Sequence, residues 1–217
     1  MAYRTDDSGL APVGRLATML VAAAALMLQP ESALGQTGQR LSIQASALRA
    51  DVFGDEFGTL KAGLGFELQM RYTPSAVSFG GGIQYTVHGD EEAERDGHDA
   101  DIKLLGVFVE PRYVLDVGSQ RAAPYLSARV ALARFDVHVA FSDGEVLEFT
   151  SNGVTLNGGG GVLVRLGPRI NLDVGATAGF TRYEPTEGTA GGQSFDVELG
   201  SGTNLVLRVG LAVGLGR

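Results

Sequence analysis

The chain has 217 residues, 17 Lys and Arg against 25 Asp and Glu, and no cysteine. Such a length holds one substantial core, and the missing cysteine excludes a disulfide framework or a thiolate metal site. A formal charge of −8 argues against a nucleic-acid partner.

At the start, Arg4 and Arg15 precede the apolar run LATMLVAAAALML, Leu16 to Leu28, and small residues follow at Ala33 and Gly35. A basic n-region, a short apolar stretch and an A-x-G exit predict a cleaved signal peptide over residues 1–35. The 13-residue run is too short for a helix through about 30 Å of hydrocarbon; its alternative is a buried or interfacial helix. The remaining domain, 36–217, carries 15 basic and 22 acidic residues and no second long apolar segment. Passage through a membrane therefore has to use strands.

Residues 41–50 alternate weakly, and the clearest segment follows, TLKAGLGFELQMRYTP, Thr59 to Pro74. Its even positions are Leu60, Ala62, Leu64, Phe66, Leu68, Met70 and Tyr72; its odd ones include Lys61, Gly63, Gly65, Glu67, Gln69 and Arg71. A period of two over that length predicts a two-faced strand. Weaker alternation covers 76–87, 102–115, 124–136 and 154–166, and strong alternation returns in INLDVGATAGF, Ile170 to Phe180, and in NLVLRVGLAVGLGR, Asn204 to Arg217. Eight strands are predicted, joined by tight turns at 73–75 and 167–168, a moderate connection at 116–123 and longer ones at 51–58, 88–101, 141–153 and 183–202.

Alternation leaves open whether the apolar face meets lipid or lines a cavity, as in a soluble barrel. Three features select lipid. The best strands run to roughly 10 to 14 residues, longer than the five or six typical of globular proteins and sufficient for the roughly 9 to 11 that cross a bilayer obliquely. Glycine, 32 in all, collects on the polar face at Gly63, Gly65, Gly159, Gly161, Gly175, Gly179, Gly210 and Gly214, where a narrow lumen needs small residues. Short and long connections alternate, as in outer-membrane barrels. Tyr72 and Tyr113 near short turns, and Tyr85 and Phe180 near long loops, fit two interfacial girdles.

Through GVFVEPRYVLD (106–116), APYLSARVALARF (123–135), NGGGGVLVRLG (157–167) and the last strand, the chain resembles the small eight-stranded outer-membrane barrels, the porin-family group of OmpX, OmpW and the transmembrane domain of OmpA. The resemblance implies an all-β, antiparallel, up-and-down transmembrane barrel in the outer membrane of a Gram-negative-type envelope. Both mature termini are expected in the periplasm and the long loops outside. It also implies contact with outer-membrane lipids, lipopolysaccharide and the barrel-assembly machinery. Arg208, Gly210, Val213 and Leu215 resemble the C-terminal assembly signal of these barrels, although Arg217 stands where the family has an aromatic residue.

Inward charges are the first candidate site: Glu67, Arg71, Glu110, Arg112, Arg129, Arg165, Asp173 and Arg208. Enclosed charges must pair, because each loses several kcal/mol of hydration, so a plug of salt bridges is expected. The same column has an alternative as a narrow ion path. The loop at 89–101 holds seven acidic residues, among which Asp96, Asp99 and Asp101 are the nearest to a cation site. Their spacing matches no EF-hand, and no resident metal or cofactor is expected, only divalent ions bridging the acidic loops. The run NGGGGV, 157–162, lacks the Lys-Ser/Thr of a phosphate-binding loop and is expected to be a thin patch of wall. His138 with Ser142, or Ser151, would be needed for a lipid A-modifying enzyme, but no motif supports it. A non-enzymatic structural or interaction scaffold presenting acidic loops is the expected function. Its alternative is a narrow pore or carrier for small or hydrophobic solutes.

Overall fold

The computed structural model describes residues 39–54, 57–95, 98–141 and 146–216. The expected signal segment, 1–35, lies outside them, as do Asp96, Ser142 and Arg217. The strands are β1 Leu41–Phe53, β2 Gly63–Tyr72, β3 Val77–His88, β4 Asp99–Val114, β5 Ala122–Ala140, β6 Val146–Arg165, β7 Ile170–Tyr183, β8 Thr186–Ala190, β9 Gln193–Val197 and β10 Ser201–Leu215, with one short helix, α1, Glu91–Arg95.

Eight long antiparallel strands follow one another around a closed ring, β1-β2-β3-β4-β5-β6-β7-β10. The last strand returns to the first from Leu41↔Leu215 to Phe53↔Thr203, which removes both sheet edges. β8 and β9 form an additional hairpin, with Gly188–Ala190 laid against Leu147–Phe149 of β6.

Three expected loops are therefore more ordered than the alternation suggests. The stretch 141–153 shrinks to a connection of 141–145, because β6 begins at Val146; 183–202 contains the β8–β9 hairpin; and 88–101 holds α1 before β4 begins at Asp99. The lengthening of β5 and β6 goes with a change of polarity along the strands. In β5, Leu126, Val130 and Leu132 face outward while Ser127 and Arg129 face inward. Two residues further on, Arg134 and His138 face outward while Phe135, Val137 and Val139 are buried inside. Beyond the lipid, the outer wall meets water and the barrel has the polarity of a soluble one.

The apolar exterior on β4 runs from Leu105 to Tyr113. Eight steps of about 3.4 Å, tilted by about 40°, span about 21 Å, close to the band of about 25 Å on outer-membrane barrels. Its upper border is marked by exposed pairs in which the cation lies nearer the band: Arg49–Asp51 at 3.1 Å, Lys103–Asp101 at 2.6 Å and Arg134–Asp136 at 2.9 Å.

The inward glycines do more than fill a narrow lumen. A Cβ added at Gly65, Gly159 or Gly179 would lie 1.8, 2.1 or 2.0 Å from a carbonyl oxygen of the neighbouring strand. Strands that coil tightly enough to close around so narrow a barrel need glycine where the backbones approach this closely.

Candidate functional site

From the short-turn end upward, the lumen is filled in layers. Val114, Ala123, Tyr125 and Leu163 form an apolar floor. Above it, Glu110 on β4 stands at the centre of a cluster of guanidinium groups. Its Oε1 accepts from Arg71 Nη2 at 2.8 Å and from Arg112 Nε; its Oε2 accepts from Arg129 Nη2 at 2.6 Å and Arg208 Nη1 at 2.8 Å. Glu67 lies 2.7 Å from Arg129 Nη1, and Asp173 lies 3.0 Å from Arg112 Nη1. All these side chains are at most 3% exposed.

The structure thus brings together seven of the eight expected lumen charges: Glu67, Arg71, Glu110, Arg112, Arg129, Asp173 and Arg208. Arg165 is not enclosed with them; it is half-buried at the short-turn end of β6, in register with Asn171. Neutral groups join the cluster unannounced. Gln44 Nε2 donates to Asp173 Oδ2 at 2.6 Å, Gln69 Nε2 to Glu67 Oε1 at 2.9 Å, and the Tyr125 hydroxyl to Asp173 Oδ1 at 2.7 Å while accepting from Arg208 Nη2 at 2.9 Å. These bonds use acceptor positions that the ion pairs leave over, which a buried network requires. The inward alternation Tyr125, Ser127, Arg129 was the available signal for Tyr125.

The thin patch of wall makes room for that tyrosine. Gly161 and Gly175 flank Tyr125, whose hydroxyl lies 2.4 and 2.5 Å from where their Cβ atoms would be. The glycines are the space the phenol occupies. Gly158, by contrast, faces open space outside.

A neutral layer follows, with Thr155 and Thr181 hydroxyls 2.8 Å apart and Asn157 Nδ2 donating to Asn204 Oδ1 at 2.7 Å. Above that, the inward face turns apolar, and Phe57, Ile102, Phe135, Val137, Val139, Tyr183 and Leu199 form a second core at the long-loop mouth. A chamber of about 320 Å³ opens within it. Beside it, His88 is enclosed on β3, its Nδ1–H donating to the Lys61 carbonyl and its Nε2 accepting from Thr86, each at 3.0 Å. Burial pushes this imidazole below its usual range, and burial pushes the Tyr183 phenol up.

The remaining candidates are dispersed. Asp101 pairs with Lys103, the Asp99 side chain lies outside the described residues with Asp96, and the described residues contain no group of three metal-ligating side chains. His138 faces outward against Glu148 at 3.3 Å, whereas the buried Ser151 donates to the Glu184 carbonyl at 2.7 Å, so this pair stands on opposite faces of the wall. Of the expected assembly signal, Arg208 belongs to the cluster, Gly210 packs inward on Ser46, and Val213 and Leu215 face outward.

A closed ring of eight antiparallel strands with a charged lumen and an apolar belt is the fold of the small outer-membrane barrels. Among solved structures, the chain is similar to Neisserial surface protein A (NspA), with 21% identity, a TM-score of 0.59, and 81% of this chain and 97% of that one covered. It is also similar to Ail, the attachment invasion locus protein of Yersinia pestis, at 16% identity and a TM-score of 0.52 over 81% and 97% of the two chains. A major outer membrane protein from Thermus thermophilus matches at 13% identity and a TM-score of 0.53, over 80% and 98%. At these identities the likeness is one of fold. No protein-family model matches the chain, and no curated protein sequence does.

Proposed function

We propose that this chain is a non-enzymatic outer-membrane barrel that works as a scaffold, holding an acidic extracellular surface on a wall whose lumen is sealed. The observation that carries this reading is the Glu110 cluster, with four arginines closed around one carboxylate and no exposed charge among them. In this reading both mature termini are periplasmic, and the long connections with the β8–β9 hairpin are extracellular. Lipopolysaccharide phosphates meet the cations of the upper border, Arg49, Lys103 and Arg134, and divalent ions bridge other phosphates to the acidic loops. The barrel-assembly machinery takes the chain in through β10.

Planar-bilayer recording tests the sealed lumen. The wild-type protein is expected to give no single-channel steps; reproducible steps that change with Arg129→Ala would overturn the scaffold reading. Protease cleavage within 88–101 on intact cells, together with heat-modifiable gel migration, tests orientation and location. Lipid A analysed by mass spectrometry is expected to be identical with and without the protein.

A second reading, a carrier for small hydrophobic solutes, is favoured by one observation, the apolar chamber at the mouth. Liposome swelling separates the two, since a carrier admits solute and the scaffold does not.

A further inference from the structure

The mouth chamber has a chemical character of its own, apart from the scaffold reading. Its wall is aromatic: Phe57 and Phe135 meet edge to face at 6.0 Å, and Phe135 and Phe149 lie 6.5 Å apart. Its rim is anionic, carrying Asp90 and Glu92, and no Lys or Arg appears among the described lining residues. Asp90 is held in place by Thr59 Oγ1 at 2.7 Å and by the amides of Glu92 and Ala93 at 2.9 Å, while Glu92 is exposed. His98 lines the same chamber with its ring edge against Phe141 at 5.0 Å, and its Nδ1 is buried with no hydrogen-bond partner. Nδ1 therefore offers a hydrogen-bonding position to a group that enters the chamber.

We propose that this chamber binds a compact hydrophobic amine. Its apolar body lies against Phe57, Phe135 and Phe149, and its ammonium group is held between Asp90 and Glu92, donating one proton to His98 Nδ1. Aromatic faces attract a cation by their quadrupole, and two carboxylates beside a low-dielectric wall select charge. A volume of about 320 Å³ is at the small end of ligand pockets.

The test uses the full mature chain in lipid nanodiscs, titrated with three probes of one shape: 1-naphthylmethylammonium, neutral 1-naphthylmethanol and anionic 1-naphthoate. Calorimetry gives the affinity, and amide shifts of Val137, Val139 and Leu147 report the place. The ammonium probe is expected to bind about tenfold more tightly than the alcohol, with the carboxylate weakest. Glu92→Gln should remove most of that preference, Phe149→Ala should weaken the ammonium and the alcohol alike, and Glu148→Gln, on the outer wall, should change nothing. Leu147→Gln replaces Phe149→Ala if the latter fails to fold by heat-modifiable migration. Equal binding of all three probes, a preference for the anion, or affinity unmoved by Glu92→Gln and by the wall variants would overturn the assignment. Conductance bears on the scaffold reading alone, so the two fail separately.

Discussion

Arg208 on the last strand reaches Glu110 on β4, 98 positions earlier in the sequence, with Nη1 2.8 Å from Oε2. In the ring, β4 and β10 are four strands apart in either direction, so this pair spans the full width of the lumen. Glu110 gathers its four arginines only once the closing strand is in place. The strand that closes the ring against β1 is thus also the one that completes the charge cluster.

Glu110→Gln is expected to destabilise the barrel by about 3–5 kcal/mol, because four enclosed guanidinium groups lose the carboxylate they share. The folded fraction against urea, read by the gel shift between folded and unfolded forms, measures this. A change under about 1 kcal/mol would mean that water already reaches the cluster.

Gly175 and Tyr125 are expected to be energetically coupled. Gly175→Ala places a Cβ 2.5 Å from the Tyr125 hydroxyl, whereas Tyr125→Phe removes that hydroxyl along with its bonds to Asp173 and Arg208. Each single change should be destabilising, the second by about 1–3 kcal/mol. Their sum should exceed the loss in the double variant by about 0.5 kcal/mol or more, as a double-mutant cycle reads directly.

The polarity change along β5 gives a depth-dependent expectation. Val130→Arg puts a guanidinium in the apolar band beside Val109 and should cost about 2–4 kcal/mol. His138→Arg, eight residues along the same outer face, should stay within about 0.5 kcal/mol, because it meets water. Urea-dependent folding into lipid vesicles checks both.

His88 supplies a pH dependence with a definite sign. Burial holds the folded imidazole below its usual range, whereas the unfolded chain takes up a proton near pH 6.5, roughly. The unfolded state therefore binds more protons in acid. The stability contributed by neutral His88 is complete above about pH 6.5 and is lost as pH falls through and below that value. Urea midpoints at pH 8 and pH 5.5 should differ more in the wild type than in His88→Gln.

Much of this was legible in the chain. Leu64, Phe66, Leu68 and Met70 against Glu67, Gln69 and Arg71 define a strand with two solvents, and length, connection asymmetry and inward glycines place lipid outside. The inward charges follow from the same alternation, since facing them to lipid would cost more than pairing them. Arg165 shows the limit: alternation assigns its face, but distance from the Glu110 layer depends on how β6 is staggered against its neighbours.

The mouth was hidden for a related reason. Phe135, Val137 and Val139 continue the period of two, yet they exchange faces with the polar residues beyond Leu132, so a strand read with a single orientation stops there. The reversed half is a strand in water, and 141–153 looks like loop only when the membrane rule is carried past the membrane.

The sequence by itself determined the eight strands, their two-faced character and the residues that cannot meet lipid, because these depend on neighbours along one strand. The tertiary structure alone decided which charges share Glu110, that Tyr125 fills the space left by Gly161 and Gly175, and that an apolar chamber with an anionic rim sits above the seal. Those depend on the stagger of eight strands around a closed ring, where side chains as far as 129 positions apart, Gln44 and Asp173, become hydrogen-bond partners.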